Sequence, residues 1–511
     1  MIQIVGGLSN ALWEAAMQRL KTSYESGRSV LLLVPEQYTL QAERDTLETL
    51  QVKGFFRVQV LSPSRLATYV FDRAGQDPRV MIDERGQTMT LARLLWNLKD
   101  ELVYYAKARG KPGFTQKLTE AISELKSTGI TPEELGAWLS AQEVEQPKLR
   151  DLATLFSAYE DQMAGQLADA QDKEQEMLRR LQASALFAGH DVIVYGFDLL
   201  TPPLIRLLSL LAQRADNLLL TLVMAREEGR ASDLFAPVIT SATLFTRELE
   251  KLSLPWQWDV LAEGKQDKQP ALLHLQHQLT RLKQAVFTDP PEGLRLFAGK
   301  TPHEEMRRIA QLIHAQLKAG TDPRDIAIFM AQESYAPLLS SVLSDYDIPH
   351  FVSVKEPLLA QPLIRCLLDA LTCIQSAAWR PLDVFSYLKS PYSPITAEEA
   401  FLLENYAREN GIRGKRWTLP FTRGEEDILL VMEPLRARAI TPIVALRDRL
   451  NKARTAEASI DALLAFLTDI KAQERVLEMD ITLSEQGMLE EAQRARQVWE
   501  QLMGLMEQMN Q

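Results

Sequence analysis

Leu31-Leu32-Leu33-Val34-Pro35-Glu36-Gln37-Tyr38-Thr39-Leu40-Gln41-Ala42-Glu43 is the stretch whose reading decides the fold of this 511-residue chain. Four large apolar residues in a row, closed by a proline, predict a short strand buried on both faces, the kind found inside a parallel sheet. A polar loop from Glu36 to Thr39 then leads into a helical pattern. Open α/β sheets bind ligands in the loops at the carboxyl ends of their strands, which makes Gln37 and Thr39 candidate contacts. Arg65 follows the next apolar run, Val58-Gln59-Val60-Leu61-Ser62, and takes the equivalent position. An ordinary strand-to-helix turn would give the same local pattern.

Upstream, Ile2 to Val5 predicts a strand, Gly6-Gly7 a turn, and Ser9 the N-cap of a helix carrying Leu12, Ala15, Ala16 and Leu20 at helical spacing. Strand, glycine turn, helix, strand is the layout of a P-loop unit. Its chemistry is missing. Such a loop needs a nest of backbone N–H groups, a lysine for the terminal phosphates and a Ser/Thr for magnesium. Here Gly6, Gly7, Ser9 and Asn10 are the remnant, and Leu12 and Trp13 stand where lysine and hydroxyl belong. Downstream, Asp191-Val192-Ile193-Val194-Tyr195-Gly196-Phe197 predicts a further strand, then a helix from Thr201-Pro202 and a strand over Asn217–Met224. An NTPase places a magnesium-binding acidic residue at the end of the first of these strands. Tyr195 occupies that place, with Asp198 three residues on.

The pattern between these strands, from about residue 83 to 185, is helical, as expected of an inserted subdomain. A second α/β unit opens at Leu294-Arg295-Leu296-Phe297, with a capping box at Thr301-Pro302-His303-Glu304. Asp325 to Met330 and Ile348 to Val352 read as its further strands, the latter near an edge because of Pro349. From Pro362 onward the pattern is helical. The expected division gives 1–82 and 189–290, the latter ending in a helical linker, to the first α/β domain around an insertion at 83–188. Residues 291–360 then open the second domain, and 361–511 form its helical insertion. A second unit that does not complete its sheet suggests part of a longer protein.

Composition narrows the function classes. A content of 46% hydrophobic and 24% charged residues is that of a globular protein. There is no signal peptide pattern, and polar residues interrupt the apolar runs before they could span a bilayer, so a cytoplasmic location is expected. Cys366 and Cys373, seven apart on one predicted helix face, read as buried thiols and not as a disulfide or metal site. His274 and His277 have no carboxylate or cysteine beside them and read as helix surface. The net charge is −11, yet residues 1–115 hold 15 Lys/Arg against 12 Asp/Glu, net +3. An acidic total does not exclude a locally basic groove for nucleic acid.

Several segments, in their order, resemble the AddB (RexB) family, a subunit of the bacterial AddAB helicase–nuclease that processes double-strand breaks for recombination. They are Leu32-Leu33-Val34-Pro35-Glu36-Gln37 with Gln41-Ala42-Glu43, Gly54-Phe55-Phe56-Arg57-Val58-Gln59-Val60-Leu61-Ser62 with Ser64-Arg65-Leu66, and Gly196-Phe197. Further on come Asp325-Ile326-Ala327-Ile328 with Tyr335, Ile348-Pro349 with Lys355-Glu356-Pro357-Leu358, and Leu403-Glu404-Asn405-Tyr406 with Gly411-Ile412-Arg413-Gly414-Lys415-Arg416-Trp417. The resemblance implies two RecA-like, superfamily 1 helicase-like domains, each with a large helical insertion, the second incomplete here. It implies an amino-terminal part of an ATP-dependent helicase/deoxyribonuclease subunit, paired with an AddA-like motor and working on single-stranded and double-stranded DNA ends.

By the same resemblance Gln37, Thr39 and Arg65 match loop positions that contact the emerging strand as it is scanned for a recombination hotspot, and Phe197 is a stacking residue. Pro63 and Thr68 stand where the family has aromatic residues, a loss of roughly 1–3 kcal/mol of stacking per base. The family uses ATP with magnesium and a four-cysteine iron–sulfur cluster in a carboxyl-terminal nuclease domain. The first site is degenerate here and two cysteines are too few for the second, so no cofactor and no catalytic residue is expected in this chain. Two other readings stand beside a DNA-binding subunit: an ATPase in its own right, which would need nucleotide held without the lysine, and a scaffold whose acidic helices dock the motor without touching DNA.

Overall fold

Apolar runs flanked by turn residues become strands throughout the first part of the chain, each covered by the helix that follows it. A computed structural model describes residues 1–7, 9–142, 146–224, 231–261, 269–279, 284–353, 356–375 and 379–510. Strand β1 (Ile2–Gly7) is followed by α1 (Ser9–Glu25), β2 (Val30–Leu33), α2 (Thr39–Leu50), β3 (Val58–Leu61) and α3 (Pro63–Ala74). A short β4 (Val80–Met81) opens the insertion, which runs through α4 (Glu84–Asn97), α5 (Pro112–Thr128), α6 (Pro132–Ser140), α7 (Pro147–Met163), β5 (Leu167–Ala168) and α8 (Ala170–Ala183). The main sheet resumes with β6 (Asp191–Val194), α9 (Pro202–Arg214), β7 (Asn217–Val223), α10 (Ala231–Lys251), β8 (Trp256–Val260) and then α11 (Pro270–Gln278).

Among the described residues the sheet has six strands in the order β3-β2-β6-β7-β1-β8, and every pairing is parallel. β2 shows why its sequence is an unbroken apolar run. Leu31 and Leu33 enter the core on one face, beneath α3 and α9, while Val30, Leu32 and Val34 enter the other, beneath α1 and α2. The chain leaves β2 outward to β3 but leaves β6 in the opposite direction to β7. The two helices that follow pack on opposite faces, which opens a crevice at the carboxyl ends of β2 and β6.

Two local expectations are corrected here. Gly6 and Gly7 are not a turn: they are the last residues of β1, in register with Leu222 and Val223 of β7, and α1 begins at Ser9. A glycine pair signals either a turn or a close approach, and the ladder decides for the second. β8, whose Trp256-Gln257-Trp258 pairs with Ile2 to Ile4, extends the sheet beyond β1. Its strand signal, aromatics alternating after Pro255, was readable and lies in a stretch expected to be a helical linker.

The chain divides into two compact units, Met1–Leu296 and Phe297–Gln511. Within the first, the insertion has its own core of Leu91, Leu95, Ile122, Leu155, Phe156 and Tyr159. The second unit contains α12 (Pro302–Lys318) and α13 (Ala336–Asp345), joined by Met306, Leu339, Val342 and Leu343. Helices α14 (Pro362–Gln375), α15 (Pro381–Leu388), α16 (Ala397–Glu409), α17 (Glu426–Lys452), α18 (Ala456–Asp469), α19 (Ala472–Glu485) and α20 (Leu489–Asn510) follow. They close around Trp417, Tyr387 and Phe466, with Cys366 and Cys373 free and buried among them.

The strands expected at 294–297, 325–330 and 348–352 do not form, and this unit has no sheet among the described residues. Ile328 and Met330 do pack against the helices, but Phe329 between them is 95% exposed. A strand is stable only with a neighbour on its ladder, and these extended segments have none among the described residues. No helix among the described residues is long and apolar enough to cross a membrane.

Candidate functional site

The sheet order sets three loops side by side at the carboxyl ends of β3, β2 and β6. Leu33 is in register with both Leu61 and Val194, so Pro35–Thr39, Ser62–Arg65 and Tyr195–Asp198 leave the sheet at one level. The loop after β2 makes one short turn, Glu36–Tyr38, before α2. Its Glu36 carboxylate reaches across to the first turn of α3, accepting the Ser64 N–H at 3.0 Å and the Ser64 hydroxyl at 2.8 Å. Burial pushes the Glu36 carboxyl up, but hydrogen bonds from Ser62 and Ser64 and the nearby Arg65 charge outweigh that and hold it below its usual value. On the other side, a Cβ at Gly196 would come within 3.1 Å of Pro35 Cδ, so only a residue without a side chain lets the β6 loop approach this closely.

Gln37 is exposed at the tip of this arrangement. Arg65 is also exposed, and its Nη1 lies 3.1 Å from Glu43 Oε1, both side chains being more than a third open to solvent. Such a surface pair is worth about 0–1 kcal/mol, so the guanidinium is readily given up to a phosphate. Phe197 is half-buried against the core beneath the β6 loop. Thr39 is 6% exposed, and its hydroxyl donates to the Glu36 carbonyl at 3.1 Å. That places it as the residue that shapes the loop holding Gln37. The structure thus brings Gln37, Arg65 and Phe197 to adjacent loops of one crevice.

The remnant of the nucleotide loop is filled with protein. A Cβ at Gly6 would meet Met224 Sδ at 2.5 Å, and Gly7 is approached by Leu12 and Leu261 at 3.4 Å. The side chains of Ser9 and Asn10 lie outside the described part of the structure. Trp13, at the position of the missing hydroxyl, stacks on Tyr195, at the position of the missing carboxylate, with ring centroids 4.5 Å apart. Tyr38 closes the group at 5.4 Å from Trp13 and 5.6 Å from Tyr195. Sequence reasoning identified Trp13 and Tyr195 singly as replacements but had no signal that they meet, and it missed Tyr38 and Met224. Burial pushes the Tyr38 and Tyr195 hydroxyls up, so neither offers a phenolate to a metal at neutral pH. These residues do not fit a magnesium triphosphate.

The thiols do not fit a four-cysteine cluster either. Cys366 and Cys373 sit on α14, and burial pushes them up to about 11 and about 12. A cluster needs four thiolates converging on one point. Among the described residues no group of three or more His, Cys, Asp or Glu side chains converges to hold a metal ion.

Comparison with known proteins agrees with this layout. The family model described as "ADDB, N-terminal" matches residues 6–276. The corresponding ATP-dependent helicase/deoxyribonuclease subunit of Alkaliphilus metalliredigens (strain QYMF) is 30% identical over 98% of this chain and 46% of its own length. The protein of the same description in Pelotomaculum thermopropionicum is 31% identical, again over 98% of this chain and 46% of its own length. That of Moorella thermoacetica is 31% identical over 95% and 45%. The chain therefore spans a little under half the length of the curated relatives it matches. With more than half of its residues under the family match, the chain belongs to the AddB amino-terminal family.

Proposed function

We propose that this chain is the helicase-like, amino-terminal part of a helicase/deoxyribonuclease subunit, and that it holds single-stranded DNA in the crevice between the β3, β2 and β6 loops without using nucleotide. The observation that carries the reading is the double character of one sheet end. Gln37, Arg65 and Phe197 converge on the crevice, while Trp13, Tyr38 and Tyr195 fill the space beside it where a triphosphate and its metal would sit. A cation beside an amide and an aromatic ring matches a strand's alternation of phosphate and base.

The rest of the reading follows from the relatives' printed description. They are subunits of an ATP-dependent helicase/deoxyribonuclease, so the power stroke and the cutting belong to a partner, an AddA-like motor in the cytoplasm acting on DNA ends. The parallel sheet with its inserted helices is the support for a RecA-like first unit; the second unit is read as its helicase-like counterpart. Scanning for a particular sequence is part of the proposal, with fewer aromatic contacts than the family offers.

The test is binding of a fluorescent single strand across a salt series. Binding at low salt that weakens as salt rises, and that Arg65→Ala reduces by about three- to tenfold with a shallower salt slope, is the expected result. No binding of the unaltered chain at low salt would exclude it.

A further inference from the structure

The segment between α4 and α5 closes on itself. The guanidinium of Arg109 lies 5.0 Å over the Trp96 ring, and a Cβ at Gly110 would approach the same ring to 3.8 Å. Both ends of the loop therefore meet at Trp96, the arrangement of a compact surface loop. Its middle is tethered from below. The carboxylate of Asp151 on α7, 2% exposed, accepts the backbone N–H groups of Val103, Tyr104 and Tyr105 at 3.1, 2.7 and 2.8 Å. Leu102 and Tyr105 are buried in the core of the insertion. Val103 and Tyr104, in contrast, are 73% and 59% exposed, and Trp96 is 55% exposed.

This arrangement has no use in folding. A buried carboxylate commits its charge-assisted hydrogen bonds to fixing a backbone that holds apolar side chains in water, where leaving them exposed forgoes burial energy. Charge says what the loop faces. From Arg93 to Lys111 there are five Lys/Arg and two Asp/Glu, net +3, in a chain of net −11. Lys99, Lys107 and Lys111 are exposed and make no ion pair among the described residues.

We propose that this loop is a second binding surface for single-stranded DNA, with Tyr104 and Trp96 offering ring faces to bases and Lys107, Arg109 and Lys111 flanking the phosphates. Aromatic faces interleaved with unpaired cations match a single strand. A protein interface would keep charge out of its centre. The loop lies on the inserted helices and shares no residue with the crevice of Gln37 and Arg65, so the two surfaces stand or fall separately.

The experiment measures a labelled oligothymidylate against the full 511-residue chain, the Tyr104→Ala variant, the Lys107→Glu/Lys111→Glu variant and Arg65→Ala, with photo-cross-linking from an iodouracil-substituted strand. The loop substitutions are at exposed positions, and equal thermal melts confirm that they fold. Each loop variant is expected to weaken binding about tenfold, and the double lysine variant to flatten the salt slope by roughly 0.7 per lysine. The cross-link should map to residues 97–111. Unchanged affinity in both loop variants, with no adduct there, overturns the inference even where Arg65→Ala weakens binding. Loss in the loop variants alone sustains it and counts against the crevice. No binding by the unaltered chain at low salt overturns both.

Discussion

Asp191 is the residue that ties the start of the sheet together. It accepts hydrogen bonds from Ser23 at 2.6 Å, Asn217 at 2.8 Å and Arg28 at 3.1 Å, joining α1, β6 and β7. Burial pushes its carboxyl up, but those donors outweigh burial and leave it below its usual value. A folded pKa beneath the unfolded value of about 3.9 means the stabilisation is fully present above about pH 4 and is lost as pH falls through the folded value. Asp191→Asn should therefore cost ~1–3 kcal/mol in urea denaturation at pH 7, and the gap to the unaltered chain should narrow as the pH drops below 4. A gap that stays constant with pH would show that the charge is not what Ser23 and Arg28 recognise. Residue identity was the most legible level of this chain. That Trp13 and Tyr195 had replaced a hydroxyl and a carboxylate could be read directly; that they stack on each other depends on strand order, which no single residue encodes.

At the scale of elements, legibility followed burial on two faces. β2, β6 and β7 were readable because strands covered on both sides are apolar at every position. The segment Ile326–Met330 has the same local signature, and it stays unpaired because a ladder partner is a property of the rest of the sheet. Gly6-Gly7 misled in the other direction, since the missing side chains serve Met224 and not a turn. The insertion depends on one buried charge cluster that sequence reasoning did not find. Lys126 on α5, 4% exposed, lies within 2.7 to 2.8 Å of Asp169, Asp172 and Glu160, so that α5, α7 and the cap of α8 share one cation. Its spacing along the chain is over 30 residues, which leaves no periodic trace. Lys126→Met leaves buried carboxylates unpaired and should destabilise the chain by ~3–5 kcal/mol in denaturant unfolding, with the helices of residues 84–183 losing amide protection first. A loss under 1 kcal/mol would mean that solvent reaches the cluster, against a closed core around Lys126.

At the scale of the whole molecule, one end of a parallel sheet keeps the crevice proposed to hold a polymer and has closed its nucleotide pocket with Trp13, Tyr38, Tyr195 and Met224. A motor couples the two sites: nucleotide changes the grip on the strand. Here the filled pocket leaves nothing to couple, because a ligand shifts an equilibrium only by its differential affinity for the two states. The most direct measurement is the dissociation constant of a labelled single strand with and without saturating Mg-ATP, at one low salt concentration. A filled pocket predicts the same constant in both conditions, with no phosphate released. A constant that moves severalfold on adding Mg-ATP would contradict it.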